Sequence, residues 1–216
     1  MHLFFISFIG DICMLIGISS RSFTSEYVDI KGVPYTYLKV IDFIIIDSEN
    51  KIEDIDKVLS LVDGIILPGG DKISSVDDYI INYCYVNNKP LLGICLGMQE
   101  LAHHFGSSIV KTPSKEHFNF DAKYQHIISI KEDSYMYNLL NNESIPVNSR
   151  HNYMIESNDS YDIMACYNNV IEAIKVKNTY YMVGYQFHPE IMKEYDDNAK
   201  VLFNDFINKV KEKSNQ

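Results

Sequence analysis

The sequence of 216 residues predicts an α/β fold with an open, mostly parallel sheet flanked by helices. Two observations lead to this prediction. In the first half, short apolar runs alternate with amphipathic runs, which is the pattern of parallel strands covered by helices. In the second half, short runs rich in Ile, Val and Tyr follow one another across turns that carry Asn or Ser, which adds an antiparallel extension.

The first half supplies the parallel part of the predicted sheet. Ile52, Ile55 and Val58 recur at helical spacing and leave acidic residues on the opposite face, as an amphipathic helix requires. A further helix over 96–105 ends before Gly106, a common C-terminal cap. The remaining pattern predicts strands at 14–19, 40–46, 64–67 and 90–94 and helices at 52–62 and 75–88.

The second half supplies the extension and a closing helix. Its predicted strands are 124–130, 145–148, 161–167, 170–176 and 180–186, and an amphipathic helix follows at about 194–212. We predict a single domain over 14–212. Residues 1–13 are expected to be an N-terminal extension or the product of a misplaced start, because they lack the basic region and cleavage site of a secretory signal.

Composition excludes several classes of function. The net charge of −10, without a dense Lys/Arg cluster, argues against nucleic acid or membrane as a partner. The four cysteines are scattered and form no C-x-x-C pair, so neither a zinc site nor a disulfide framework is expected. We therefore expect a cytoplasmic protein without a metal or cofactor.

The segment Gly93-Ile94-Cys95-Leu96-Gly97 has the pattern of a nucleophile elbow. It joins a strand to a helix, and glycine on each side allows the tight turn that exposes the central side chain. A helix N-terminus favours the thiolate form of that cysteine, which is the reactive form. Cys95 is therefore the candidate nucleophile, whereas Cys13, Cys84 and Cys166 lack such a setting.

Two other motifs follow predicted strands and complete a candidate active site. His188 comes after the strand at 180–186 and can accept the thiol proton, while Glu190 can orient its ring. After the strand at 64–67, the glycines of Pro68-Gly69-Gly70 let backbone amides approach a ligand. The amides of Gly70 and Leu96 are the predicted oxyanion hole.

These three motifs, in this order, resemble the class I glutamine amidotransferase superfamily. The resemblance covers about residues 14–210 and implies a flavodoxin-like sheet, a Cys95-His188-Glu190 triad and a γ-glutamyl-thioester that water hydrolyses. It also makes Gln99 a candidate contact for the glutamyl group. Val147-Asn148-Ser149-Arg150-His151 and Val170-Ile171-Glu172-Ala173-Ile174 resemble segments of the γ-glutamyl-γ-aminobutyrate hydrolases, the peptidase C26 group. By that resemblance Ser149 and His151 line the substrate pocket.

Three functions follow from the resemblance, and the first is preferred. It is a stand-alone hydrolase that cleaves a small γ-glutamyl amide such as γ-glutamyl-GABA, favoured by V-N-S-x-H. The alternative is a glutaminase that passes ammonia to a partner synthase, favoured by Cys95-Leu96-Gly97. The third is a non-catalytic binding protein that has kept the fold. The expected binding partner is a small γ-glutamyl substrate. Under the alternative, the protein would also bind a synthase. Either form of the protein could be a homodimer.

Overall fold

A computed structural model describes residues 14–24, 29–37, 42–47 and 52–216. Within these ranges the chain forms a nine-stranded sheet in the order β10-β9-β13-β14-β15-β6-β5-β1-β4. The first half contributes β1 (Leu15–Ser19), β2 (Arg21–Thr24), β3 (Asp29–Gly32), β4 (Asp42–Ile46), α1 (Ile52–Leu61), β5 (Gly64–Leu67), α2 (Ser75–Val86), β6 (Leu91–Ile94) and α3 (Leu96–His104).

The second half begins with short strands and contributes the antiparallel part of the sheet. Its elements are β7 (Ile109–Lys111), β8 (Phe118–Asn119), β9 (His126–Ile130), α4 (Tyr135–Leu140), β10 (Ser144–Val147), β11 (Ser149–Arg150), β12 (Tyr153–Ile155), β13 (Tyr161–Tyr167), β14 (Val170–Val176), β15 (Met182–Tyr185), α5 (Pro189–Met192) and α6 (Asp197–Ser214).

The predicted division of the sheet is confirmed. Strands β4, β1, β5, β6 and β15 pair in parallel. Strands β14, β13, β9 and β10 continue the sheet with antiparallel pairing. The switch occurs between β15 and β14, since β15 is parallel to β6 on one side and antiparallel to β14 on the other.

Apolar side chains on both faces of the sheet form the core. One cluster joins the sheet to helices α1, α2 and α3, and includes Leu59, Ile80 and Leu101. The other joins it to α4 and α6, and includes Met136 and Phe206. Every residue of β5 and β6 is buried, as expected of parallel strands covered on both faces.

Two glycines determine how closely helix α3 packs against the sheet. A Cβ on Gly97 would lie 2.0 Å from the backbone oxygen of Leu67, at the end of β5. A Cβ on Gly93 would lie 2.6 Å from the backbone oxygen of Gly97. Because backbone atoms are the obstacle, no side-chain rearrangement can make room, and both positions require glycine for this approach.

The structure contains elements that the sequence pattern did not predict, namely β2, β3, β7, β8, α4, β11, β12 and α5. They are short, and several of their strands pair outside the central sheet, as in β2 with β3 and β7 with β12. Residues 1–13 lie outside the described residues, and the single domain over 14–212 stays a prediction. Among the described helices, no apolar stretch is long enough to cross a bilayer.

Replacing Gly97 with alanine should destabilise the fold through this backbone contact. We expect Gly97→Ala to lower the free energy of unfolding by about 3 kcal/mol or more, at the upper end of overpacking costs. Gly32→Ala is the matched control, because a Cβ there has no neighbour within 4 Å. Urea unfolding followed by circular dichroism measures both, and equal losses in the two variants would contradict the packing argument.

Candidate active site

The three sequence motifs meet at one edge of the sheet because the strands before them end side by side. In the register of β5, β6 and β15, Leu67 pairs with Gly93 and Ile94 pairs with Tyr185. Parallel strands place their carboxyl ends at the same edge, where open α/β sheets bind ligands. The loops after Leu67, Ile94 and Tyr185 therefore bring Gly70, Cys95 and His188 together.

Cys95 lies at the tight turn between β6 and α3. Its backbone has φ 53° and ψ −105°, an arrangement that an L-residue adopts only under strain of about 1–3 kcal/mol. Its amide donates to the backbone oxygen of Tyr185 at 2.8 Å, which ties the turn to β15. The side chain is 6% exposed, and helix α3 starts at the next residue.

His188 lies between Cys95 and Glu190. Its Nδ1 is 2.8 Å from Glu190 Oε1, and its ring also interacts with Cys95. Burial alone would lower the pKa of His188, but the charge of Glu190 and the contact with Cys95 raise it to about 10. A thiol, an imidazole and a carboxylate thus stand in series, and the imidazole is held as a cation beside the sulfur at neutral pH.

The backbone of His188 is held by Asn148. The Asn148 side-chain oxygen accepts from the His188 amide at 2.8 Å, and its side-chain nitrogen donates to the His188 carbonyl at 3.4 Å. Asn148 is 0% exposed, so both contacts are shielded from water. Sequence reasoning placed Asn148 in a substrate motif and missed this positioning role.

Two cavities adjoin the cysteine. The larger, of about 490 Å³, is lined by Cys95, His188, Gly70, Tyr37, Phe120 and Arg150, among others. The smaller, of about 90 Å³, is lined by Gly70, Cys95, Leu96, Gln99, Arg150, His151 and others. The predicted oxyanion residues, Gly70 and Leu96, therefore border the same space as the Cys95 sulfur.

Arg21 fixes the loop that carries Gly70, and sequence reasoning did not identify it. Its Nε and NH2 groups donate to the Pro68 carbonyl at 3.1 and 2.7 Å. The guanidinium also pairs with Asp77 and, at 2.8 Å, with Glu100. Burial raises the pKa of Glu100, against the opposing charge of Arg21. All three side chains are buried, so the loop rests on an enclosed ionic network.

The predicted substrate contacts occupy different positions. Gln99 borders the smaller cavity, but its side-chain nitrogen donates to Tyr153 O and Gln186 Oε1, both at 3.0 Å. Ser149 is 0% exposed, and its hydroxyl donates to the His117 carbonyl at 2.7 Å. His151 borders the smaller cavity through part of its surface, while its Nε2 points towards Glu172. Their roles in substrate binding stay predictions.

A second group of ionisable side chains lies next to His151, which borders the smaller cavity. Within the described residues, His117, His126 and Glu172 are buried and bring potential ligand atoms within 4.8 Å of one another. The scattered cysteines predict no metal site, whereas these three potential ligands are two histidines and a glutamate.

The geometry at Cys95 is suited to one kind of chemistry. The sulfur of Cys95 can attack a carbonyl carbon, and the neighbouring imidazolium can protonate the group that leaves. The buried carboxylate of Glu190 orients the ring through Nδ1 and stabilises its positive charge. This is an arrangement for acyl transfer through a thioester.

Comparison with known proteins supports the same interpretation. The family profile "Glutamine amidotransferase class-I" matches residues 35–209. The chain is 31% identical over 180 residues to anthranilate synthase component 2 of Cyanophora paradoxa, covering 80% of this chain and 90% of that protein. It is 29% identical over 225 residues to a CTP synthase of Rickettsia bellii, covering 84% of this chain but only 41% of that protein's length.

A solved structure has the same fold. A putative GMP synthase subunit from Thermoplasma acidophilum superposes with a TM-score of 0.69 at 22% sequence identity, and the match covers 94% of this chain and 96% of that one. The profile match spans most of the sequence and includes all three motifs at the sheet edge. The chain therefore belongs to the class I glutamine amidotransferase family.

Proposed function

We propose that this protein is a glutaminase, which hydrolyses the side-chain amide of glutamine and supplies the ammonia to a partner synthase. The observation that carries the proposal is the series Cys95, His188 and Glu190 at the sheet edge, in a chain of this family. The names of the relatives support the partner, since both sequence relatives are synthases or synthase components.

The reaction follows from the positions of these groups. The Cys95 sulfur attacks the amide carbon of glutamine, and the amides of Gly70 and Leu96 stabilise the oxyanion. His188 gives its proton to the departing nitrogen, which leaves as ammonia, and a γ-glutamyl-thioester remains. His188 then takes a proton from water, whose oxygen attacks the thioester carbon. Glutamate leaves, and the thiolate and the imidazolium are restored.

The motif that favoured a γ-glutamyl hydrolase has other tasks in this fold. Asn148 holds the His188 backbone, and the Ser149 hydroxyl is bonded to a backbone carbonyl. Both side chains are therefore engaged within the protein. The Cys95-Leu96-Gly97 segment and the relatives favour the glutaminase over the γ-glutamyl hydrolase that the V-N-S-x-H motif predicts.

The hydrolase of a small γ-glutamyl amide remains the second candidate because of one observation. The larger cavity extends beyond the triad between Pro34, Phe118 and Phe120, where an amine larger than ammonia would fit. Phe118 and Phe120 are 43% and 59% exposed. These two exposed rings would also suit contact with a synthase. The preferred substrate therefore has to distinguish the glutaminase from the γ-glutamyl hydrolase.

Removal of the nucleophile should abolish glutamate release. We expect Cys95→Ala to lower the turnover of glutamine by at least about a thousand-fold, because no other group forms the thioester. Cys84→Ala is the matched control, since Cys84 is buried in the core and burial raises its pKa to about 12. Iodoacetamide should label Cys95 ahead of Cys84. Glutamate release by Cys95→Ala, or slow labelling of Cys95, would contradict the proposal and favour a non-catalytic protein.

Substrate preference separates the two catalytic candidates. A glutaminase should have a kcat/KM for glutamine at least about ten-fold above that for γ-glutamyl-GABA, because it needs no pocket for the larger amine. Release of glutamate from both compounds by the purified chain measures this ratio. A preference for γ-glutamyl-GABA would replace the glutaminase with the hydrolase.

Glu190 should control the protonation of His188. Glu190→Gln removes the negative charge that contributes most to raising the pKa of His188. The pKa should therefore fall from about 10, so that the imidazolium is lost at lower pH than in the wild type. NMR titration of the His188 ring measures the shift, and kcat should fall by about 100- to 10,000-fold. An unchanged titration would show that Glu190 does not govern this proton.

A further inference from the structure

Three histidines surround one glutamate behind the wall of the active-site cavity, in a cluster that the proposed reaction does not use. The residues come from separate parts of the chain. His117 precedes β8, His126 begins β9, His151 follows β11, and Glu172 lies in β14. Their exposed fractions are 2%, 9%, 3% and 0%, so water does not solvate the carboxylate.

The spacing of the cluster matches the edges of a metal coordination shell. Glu172 Oε1 is 3.2 Å from His126 Nε2, 3.6 Å from His151 Nε2 and 3.7 Å from His117 Nδ1. Around a tetrahedral Zn²⁺ with bonds of about 2.0–2.1 Å, neighbouring ligand atoms are about 3.3–3.4 Å apart. The three distances to Glu172 Oε1 are thus close to the edges of such a shell. His117, His126 and Glu172 already bring their ligand atoms within 4.8 Å of one another, and the side chain of His151 would move further towards them to complete the shell.

Within the described residues, these potential ligand atoms also lack hydrogen-bond partners. His117 Nδ1, His126 Nε2, His151 Nε2 and both Glu172 oxygens are buried without a hydrogen-bond partner. A buried charge in that state is costly unless it is paired or coordinates a metal. A protonated His126 could pair with Glu172 across 3.2 Å, but the separations of 3.6 and 3.7 Å from His151 and His117 are too long for good hydrogen bonds.

One histidine is already fixed in the form that binds a metal. The Nδ1 of His151 lies 2.9 Å from the carbonyl of Tyr153, to which it donates, so in the neutral ring the lone pair is on Nε2. A ligating histidine commonly has such a second hydrogen bond, which sets its tautomer and ring orientation. The lone pair of His151 is thereby directed towards Glu172.

We propose that His117, His126, His151 and Glu172 bind one Zn²⁺ ion in a structural site. Three imidazole nitrogens and one carboxylate oxygen suit zinc, and four protein ligands close a tetrahedral shell. Since Phe118 and Arg150 adjoin ligands and line the larger cavity, the site would shape that wall. This inference does not depend on the proposed function.

Metal content and thermal stability test the site in the intact protein. Purified wild-type chain, loaded with Zn²⁺ and dialysed against metal-free buffer, should retain one zinc per chain by mass spectrometry of the metal. Stripping with a chelator should lower the Tm, and added Zn²⁺ at a hundredfold excess over its Kd should restore it by on the order of 5 °C. Co²⁺ in place of Zn²⁺ should give the intense visible absorption of tetrahedral coordination.

Variants connect the ion to these residues. Glu172→Gln keeps the shape of the side chain but removes a charged ligand, and should weaken zinc binding at least about 100-fold. His126→Gln should do the same. His104→Gln is the matched control, because His104 pairs with Asp78 outside the cluster, and it should retain one zinc. If a cluster variant does not fold, zinc retention and the zinc-dependent Tm of the wild-type protein still test the proposal. Wild-type protein without retained zinc or a zinc-dependent Tm would overturn the proposal, as would full zinc retention by Glu172→Gln.

Discussion

The parallel pairing of β5, β6 and β15 is the constraint on which the active site depends. Because Leu67 pairs with Gly93 and Ile94 pairs with Tyr185, three loops that are distant in sequence begin at the same edge of the sheet. The close approach of Gly97 to the Leu67 backbone then sets helix α3 against that edge. Cys95 lies at the turn that meets both requirements, and its positive φ is the local consequence.

Buried polar contacts hold the loops once the strands have placed them. Arg21 binds the Pro68 carbonyl on one side of the site, and Asn148 binds both backbone groups of His188 on the other. Neither residue carries out the chemistry. Each restricts the motion of a loop that carries a reacting group. This restriction gives a site built on loops the precision that acyl transfer needs.

Most of the regular elements were predictable because they are long and periodic. The strands at 64–67, 161–167 and 170–176 occur at the predicted residues. The helix predicted at 75–88 ends at Val86, and Gly106 has the positive φ of a cap. Two of the elements that were missed, β8 and β11, are two residues long and depend on pairing with each other, which no local pattern records. The substrate motif V-N-S-x-H shows the same limit, because its residues are identifiable but their partners are not.

The sequence alone determined the type of fold and the residues of the three motifs, since hydrophobic period and glycine placement are local properties of the chain. The tertiary structure decided which side chains support them and which histidines meet. His117, His126, His151 and Glu172 are ordinary residues in the sequence. The pairing of β9, β13 and β14 places His126 near Glu172, and the pairing of β8 with β11 places His117 beside His151. Contacts between residues far apart in the chain have no signature in a single sequence, and such contacts give this protein its second buried site.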